Sequence, residues 1–276
     1  MNLAEKYKTI RNYTEDICKP FLTEDYVVQP IVDVSPPKGH IGHVTWFFET
    51  FILKPFHKDY VEFNPQYGYV FNSYYETAGS RVIRTDRGNL SRPTVEDVYK
   101  YRHYVDDAML QLLQKKVSKE LNNLLLIGFN HEQQHQELLM TDIKYILGNN
   151  PLFPAYGNAP EPKINSNNKI KNEFVKIEEG IYEIGFEGKG FCFDNELKRH
   201  KVYIDKCQVS KDLVTNGEYL EFINAGGYKN FNCRHAEGWA WVNEHQITAP
   251  MYWYFIDGKW HHYTLAGLKP VEPTAT

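Results

Sequence analysis

The chain has 276 residues, enough for one large or two ordinary domains, and its hydrophobic content of 42% builds real cores and excludes a wholly disordered protein. A formal net charge of −4 gives no electrostatic case for binding nucleic acid or an anionic membrane surface. Aromatic residues reach 15%, with 20 Tyr and 16 Phe, more than cores alone usually need, which suggests aromatic-lined pockets.

The chain opens with MNLAEKYKTIRNY, charged and amphipathic, without the apolar run of a signal peptide. No stretch of about 18 apolar residues is present to span a bilayer. Cys18, Cys192, Cys207 and Cys233 form no C-x-x-C pair and read as free thiols, so the expected location is cytoplasmic.

Over residues 1–150 apolar residues recur at i, i+3 and i+4, which predicts helices over Ala4–Cys18, His40–Leu53, Thr94–Lys116 and Ser118–Leu147. Thr94 followed by Glu96 and Asp97 marks a helix start, and Gly148-Asn-Asn-Pro marks a stop. Four such helices read as a bundle. Residues 151–170 are rich in Pro, Asn and Gly and read as a linker or long surface loop. Over 171–276 the apolar period changes to two, in FVKIEEGIYEIG, HKVYIDKCQVS and APMYWYFIDGKWHHYTL. A single helix is expected there, near Asn216–Asn224, opened by Thr215.

The chemistry concentrates in HEQQHQELL, His131 to Leu139. His131 and His135 stand four residues apart on one helix face, so both imidazoles can meet one ion. Leu124, Ile127 and Leu138 continue that face and are expected to carry it into the core. Gln134 and Glu132 flank the pair on opposite sides. H-E-x-x-H is also the zinc-peptidase pattern, with the Glu as general base. A peptidase needs a third ligand downstream, and TDIKYILGNNPLF holds no His. Paired histidines also occur as hydrogen-bonded core residues.

A third imidazole is available upstream in GHIGHVTWFFETF, from His43 or, nearer the loop, His40. Trp46, Phe47 and Phe48 would anchor that segment. Two His from one helix and one from another make a three-His face with open positions, which suits an O2-activating iron(II); zinc fits the same ligands.

Together, H-x-x-x-H-x-E (His131, His135, Glu137) and GHVTWFFETF resemble the ergothioneine-pathway sulfoxide synthases, nonheme iron enzymes. FNSYYETAGSRVIRTDRGNLSRPTVEDVYKYRHYVD, FDNELKRHKVYID, VTNGEYLEFINAGGY and APMYWY are similar to that family too, so the resemblance runs over nearly the whole chain. It implies an α+β fold. A DinB-like four-helix bundle over 1–150 would be followed, after the linker, by a partial C-type-lectin-like domain of the formylglycine-generating-enzyme type over 171–276. It also implies Fe(2+) as cofactor and O2 as co-substrate. The reaction would join the imidazole C2 of hercynine (Nα-trimethylhistidine) to the sulfur of cysteine or γ-glutamylcysteine, as a sulfoxide. By matched position His43, His131 and His135 would hold the iron. Gln134 would face the imidazole substrate, and Arg84 and Arg87 would bind carboxylates of the thiol substrate. Tyr74 and Tyr75 would act in catalysis as proton donor or hydrogen-bond partner.

The chain departs from the family in two places. Gly39 stands where relatives often carry Trp, which implies a packing change. GLKPVEPTAT falls about halfway through a domain of this type, so a fragment of a longer protein is expected, lacking later pocket residues. Other functions fit parts of the pattern: the ovothiol-pathway 5-histidylcysteine sulfoxide synthase, a DinB-like metal-dependent thiol transferase, or a lectin-like binding module. Formylglycine generation itself fits poorly, since its copper-binding cysteines would lie beyond residue 276.

Overall fold

The computed structural model describes residues 2–73, 79–159 and 173–276. The chain divides into two compact units, Met1–Ala159 and Pro160–Thr276. The first is helical and the second carries small antiparallel sheets, so the class is α+β.

The helical unit is built on α1 (Leu3–Cys18), α2 (Pro37–Phe48), α3 (Val95–Leu113) and α4 (Lys119–Gly148). Each start has a local cause. Asn2 and Glu5 form a capping box on α1, Thr94 and Asp97 form one on α3, and the Ser118 hydroxyl accepts from Leu121 N–H at the head of α4. Helix α2 begins three residues earlier than His40, because Pro37 sits in its first turn, where its missing N–H leaves nothing unsatisfied. A π-helical turn, Glu49–Leu53, then continues it.

Helix α2 is buried almost all round and packs against α3 and α4, while α1 closes the other side of α4. Ile41, Phe48, Tyr101, Val105, Leu125 and Leu139 are fully enclosed. Trp46, Phe47 and Phe48 are buried, as the sequence suggests for an anchor. Two glycines set the approach of neighbouring elements. A Cβ on Gly128 would stand 2.8 Å from the Phe48 ring, and one on Gly42 would stand 2.1 Å from the Phe71 ring. Gly128 lies one turn before His131, so this contact fixes the gap between α2 and α4 across which their histidines face each other.

About a quarter-turn round α4 from its histidines, a buried ionic cluster ties three helices together. Glu132 accepts from Arg11 Nη1 at 3.0 Å and from Arg102 Nη2 at 2.8 Å, and the Thr14 hydroxyl donates to it at 2.7 Å. Arg11 Nε reaches Asp106 at 2.7 Å and Arg102 Nε reaches Glu15 at 3.0 Å. The core face of α4 therefore runs through Leu125, Phe129, Glu132, Gln136, Leu139 and Ile143. This corrects the expectation for Ile127 and Leu138, which are 42% and 43% exposed. The helix is long enough that its histidine edge borders an open cavity, and the core lies about a quarter-turn away. At the end of the unit, Tyr156 donates to the Ile17 carbonyl at 2.6 Å.

The second unit pairs β1 (Phe174–Ile177) with β4 (Cys207–Ser210), and β2 (Gly180–Ile184) with β3 (His200–Ile204). A meander of β5 (Trp253–Ile256), β6 (Lys259–Thr264) and β7 (Gly267–Pro270) follows. Helix α5 (Asn216–Asn224) starts at Thr215 with Glu218 completing its capping box. A second helix, α6 (Ala236–Glu244), corrects the expectation of one. Gly238 and two Trp in a nine-residue segment blur its period, and His235 gives no side-chain cap.

Candidate metal centre

The π-helical turn and the short helix Tyr67–Phe71 bring a backbone carbonyl against α2. His43 Nδ1 lies 2.7 Å from the Phe71 carbonyl oxygen. A carbonyl only accepts, so Nδ1 carries the proton and Nε2 keeps its lone pair. The ring is held flat by stacking on Trp46, with centroids 5.6 Å apart.

On α4 the second arm is held by side chains. His40 Nε2 lies 2.8 Å from Asp142 Oδ2, and His40 Nδ1 lies 2.9 Å from His135 Nδ1. The carboxylate accepts from His40 Nε2–H, the bare His40 Nδ1 accepts from His135 Nδ1–H, and His135 Nε2 is left with its lone pair. Both ring nitrogens of His40 are thus engaged. His131 packs on Phe47, with centroids 4.7 Å apart, and its Nε2 lies 3.2 Å from His43 Nε2. Its buried Nδ1 has no hydrogen-bond partner among the described residues.

The donor atoms of His43, His131 and His135 lie within 4.8 Å of one another. Ligand nitrogens about 2.1 Å from one ion stand roughly 3.0–3.4 Å apart, from octahedral to tetrahedral angles. The 3.2 Å separation of the two Nε2 atoms fits that edge. Burial lowers His43 to a pKa of about 3, helped by the neighbouring His131, and lowers His131 to about 4. His135 is pushed well below its ordinary value by burial and by the other three imidazoles. All three rings are therefore neutral, the form that ligates a metal.

Beside the imidazoles lies a cavity of about 330 Å³ whose lining includes His131, Gln134, His135, Arg84, Arg87 and Asp142. Arg84 donates to the Val32 and Asp33 carbonyls at 3.0 and 2.9 Å, and Arg87 Nη1 donates to Ser35 Oγ at 3.2 Å. These bonds hold the guanidinium loop, Arg84–Asn89, against the segment that leads into α2. A smaller void of about 40 Å³ borders His40, His43 and His135 and reaches Phe71 and Leu90.

The structure thus brings together His43, His131, His135, Gln134, Arg84 and Arg87. Tyr74 and Tyr75 lie outside the described residues. Glu132 points away from the histidines into the ionic cluster. Burial alone would raise its pKa, but Arg11 and Arg102 outweigh that and hold it at about 2. A carboxylate so enclosed cannot activate water at the histidines. Sequence reasoning missed Asp142 and the Phe71 carbonyl. Asp142 stands seven residues after His135, two turns along the same helix face, so its spacing was a usable signal.

No family model matches the chain. It is 25% identical over 172 residues to a hercynine oxygenase of Mycolicibacterium smegmatis, covering 62% of this chain and 39% of that protein. It is 29% identical over 126 residues to the hercynine oxygenase of Mycolicibacterium thermoresistibile, and 27% over 126 residues to that of Mycobacterium tuberculosis. Those two matches cover 45% of this chain and 27% and 28% of the relatives. The chain therefore spans about two-fifths or less of the length of the curated relatives it matches.

Proposed function

We propose that this chain acts in an iron(II)- and O2-dependent sulfoxide synthase that joins hercynine to cysteine or γ-glutamylcysteine, as in ergothioneine biosynthesis. Its helical unit would be DinB-like and its second unit of the formylglycine-generating-enzyme type. The observation that carries this reading is the convergence of three neutral imidazoles from two helices beside a cavity lined by two guanidiniums and an amide. The similarity to hercynine oxygenases supports the same reaction class.

His43, His131 and His135 would hold the iron. When bound, iron(II) supplies one-electron chemistry toward O2 at the positions the three imidazoles leave open. Overall, the thiol S–H and the imidazole C2–H bonds break, and C–S and S–O bonds form. One oxygen atom ends in the sulfoxide and the other in water with the two released hydrogens. Gln134, a neutral amide at the cavity wall, donates to or accepts from the hercynine imidazole and orients C2. Arg84 and Arg87 pair with carboxylates of the thiol substrate, a task suited to forked donors. Tyr74 and Tyr75 are proposed as proton donor or hydrogen-bond partner near the reacting oxygen.

The test loads the chain anaerobically with iron(II) and admits O2 with hercynine and either thiol. A sulfoxide by mass spectrometry, labelled at one oxygen from 18O2, supports the reading. Attachment at a different imidazole carbon, seen by NMR, would indicate the ovothiol-type reaction instead. Absence of product with iron bound overturns it.

A further inference from the structure

The two tautomer-locked arms of the centre differ in kind. His43 is fixed by a backbone carbonyl, which no substitution at that position removes. His135 is fixed by two side chains in series, ending on a carboxylate. We propose that Asp142 and His40 form a positioning relay for His135. In it, Asp142 sets the tautomer of His40, and His40 in turn keeps the proton on His135 Nδ1 so that Nε2 keeps its lone pair for an ion. This inference rests on the metal-centre reading above and deepens it.

Three observations support the relay. First, with His40 neutral and Asp142 ionised, the hydrogen-bond roles allow one arrangement. An ionised carboxylate only accepts, so His40 Nε2 must donate, and two imidazole Nδ1 atoms 2.9 Å apart need one proton between them, which His135 supplies. Second, the far end is anchored. Asp142 Oδ2 also accepts from Ser35 N–H at 3.0 Å, so the carboxylate is held at the entry to α2 while it sits on α4. Third, His40 is 3% exposed and rises from α2, one turn before His43. The relay therefore links the two helices that bear the three imidazoles, on the cavity side. An acceptor behind a ligand imidazole also raises the basicity of the ligating nitrogen, and for His135 that acceptor is His40, itself backed by Asp142.

The role is positional, so its test reads tautomer and affinity and needs no turnover. The metal-free wild-type chain is examined by long-range proton–nitrogen NMR of its imidazoles, and cobalt(II) binding is followed by visible absorption for the same chain and its variants. His135 should appear as the Nδ1–H tautomer and His40 as the Nε2–H tautomer. His135→Ala should abolish cobalt binding. His40→Ala should weaken it roughly 10- to 100-fold, the usual effect of losing a ligand's orienting partner. His40→Asn places an amide oxygen near the former Nδ1, where it accepts from His135, and should recover most of the affinity. Asp142→Ala should give a smaller loss and mix the His135 tautomers.

Cobalt bound normally by the wild type, lost in His135→Ala, yet bound equally by His40→Ala and Asp142→Ala, overturns the relay and leaves the centre standing. If His40→Ala does not fold, Asp142→Ala and the wild-type tautomers decide: a His135 Nε2–H tautomer in the wild type overturns the relay. No cobalt binding by the wild type overturns the centre itself, and the relay with it.

Discussion

Glu132 Oε1 accepts from Arg102 Nη2 at 2.8 Å on the face of α4 turned away from His131, its neighbour in sequence. The Glu of H-E-x-x-H thus belongs to the core, and Arg11 shares it. Replacing Glu132 by Ala leaves two buried guanidiniums short of their anion. The expected cost is about 3–5 kcal/mol, the range for breaking a buried ion pair from one side. Urea unfolding of the variant checks this. A stable variant would show that the cluster is dispensable.

The acid response follows from groups whose folded pKa values are depressed. His43 and His131 fall to about 3 and about 4 from 6.5, and Glu132 falls to about 2 from 4.5. In each case the unfolded chain binds more protons, so stability rises with pH. It is complete above pH 6.5. As pH falls it is lost first through the histidines, from 6.5 toward 3, and then through Glu132, from 4.5 toward 2. Denaturant midpoints of the metal-free chain should decline from about pH 7 downward. A midpoint constant to pH 4 would contradict these shifts.

Gly42→Ala adds a methyl where the Phe71 ring already stands, at 2.1 Å. Alanine gains helix propensity of up to about 1 kcal/mol, but the ring must move against a packed core, which costs about 1–3 kcal/mol. Net destabilisation is expected. Metal affinity should fall with it, because the Phe71 carbonyl fixes the His43 tautomer. Gly39→Ala serves as the control, since its nearest obstacle is Pro36 at 3.9 Å.

Under the proposed function, Arg87→Ala should weaken binding of cysteine or γ-glutamylcysteine by roughly tenfold to a hundredfold, the worth of a charged hydrogen bond. Hercynine binding should change far less. Calorimetric titration of each substrate separates the two. Equal losses for both would place Arg87 in a structural role.

The helices were readable because their ends carry local chemistry: Thr94 and Ser118 cap, and Gly148 with Asn149 stops. The histidine pair was readable because helix geometry alone puts residues four apart together. Its partner on α2 needed the motif, since nothing local tells which helices face each other. The Arg11–Glu132–Arg102 cluster was invisible for the same reason, with partners drawn from three helices. Glu132 looked like a flank of the histidines because a one-residue step on a helix turns a side chain by about 100°, from cavity to core. The Phe71 carbonyl left no trace at all, because a backbone atom has no letter in a sequence. Ile127 and Leu138 misled because apolar residues also border cavities.

Lys38 Nζ donates to the carbonyls of Leu90 and Pro93 at 2.5 and 2.9 Å. One ammonium on the first turn of α2 therefore fastens the stretch that follows the guanidinium loop to the helix that carries His40 and His43. Such a fastening separates two inheritances. The imidazoles can stay fixed while the loop is lengthened, shortened or re-charged between its attachment points. Under the proposed function, redrawing that loop would change which sulfur donor is accepted, with the imidazoles of the two helices kept in place.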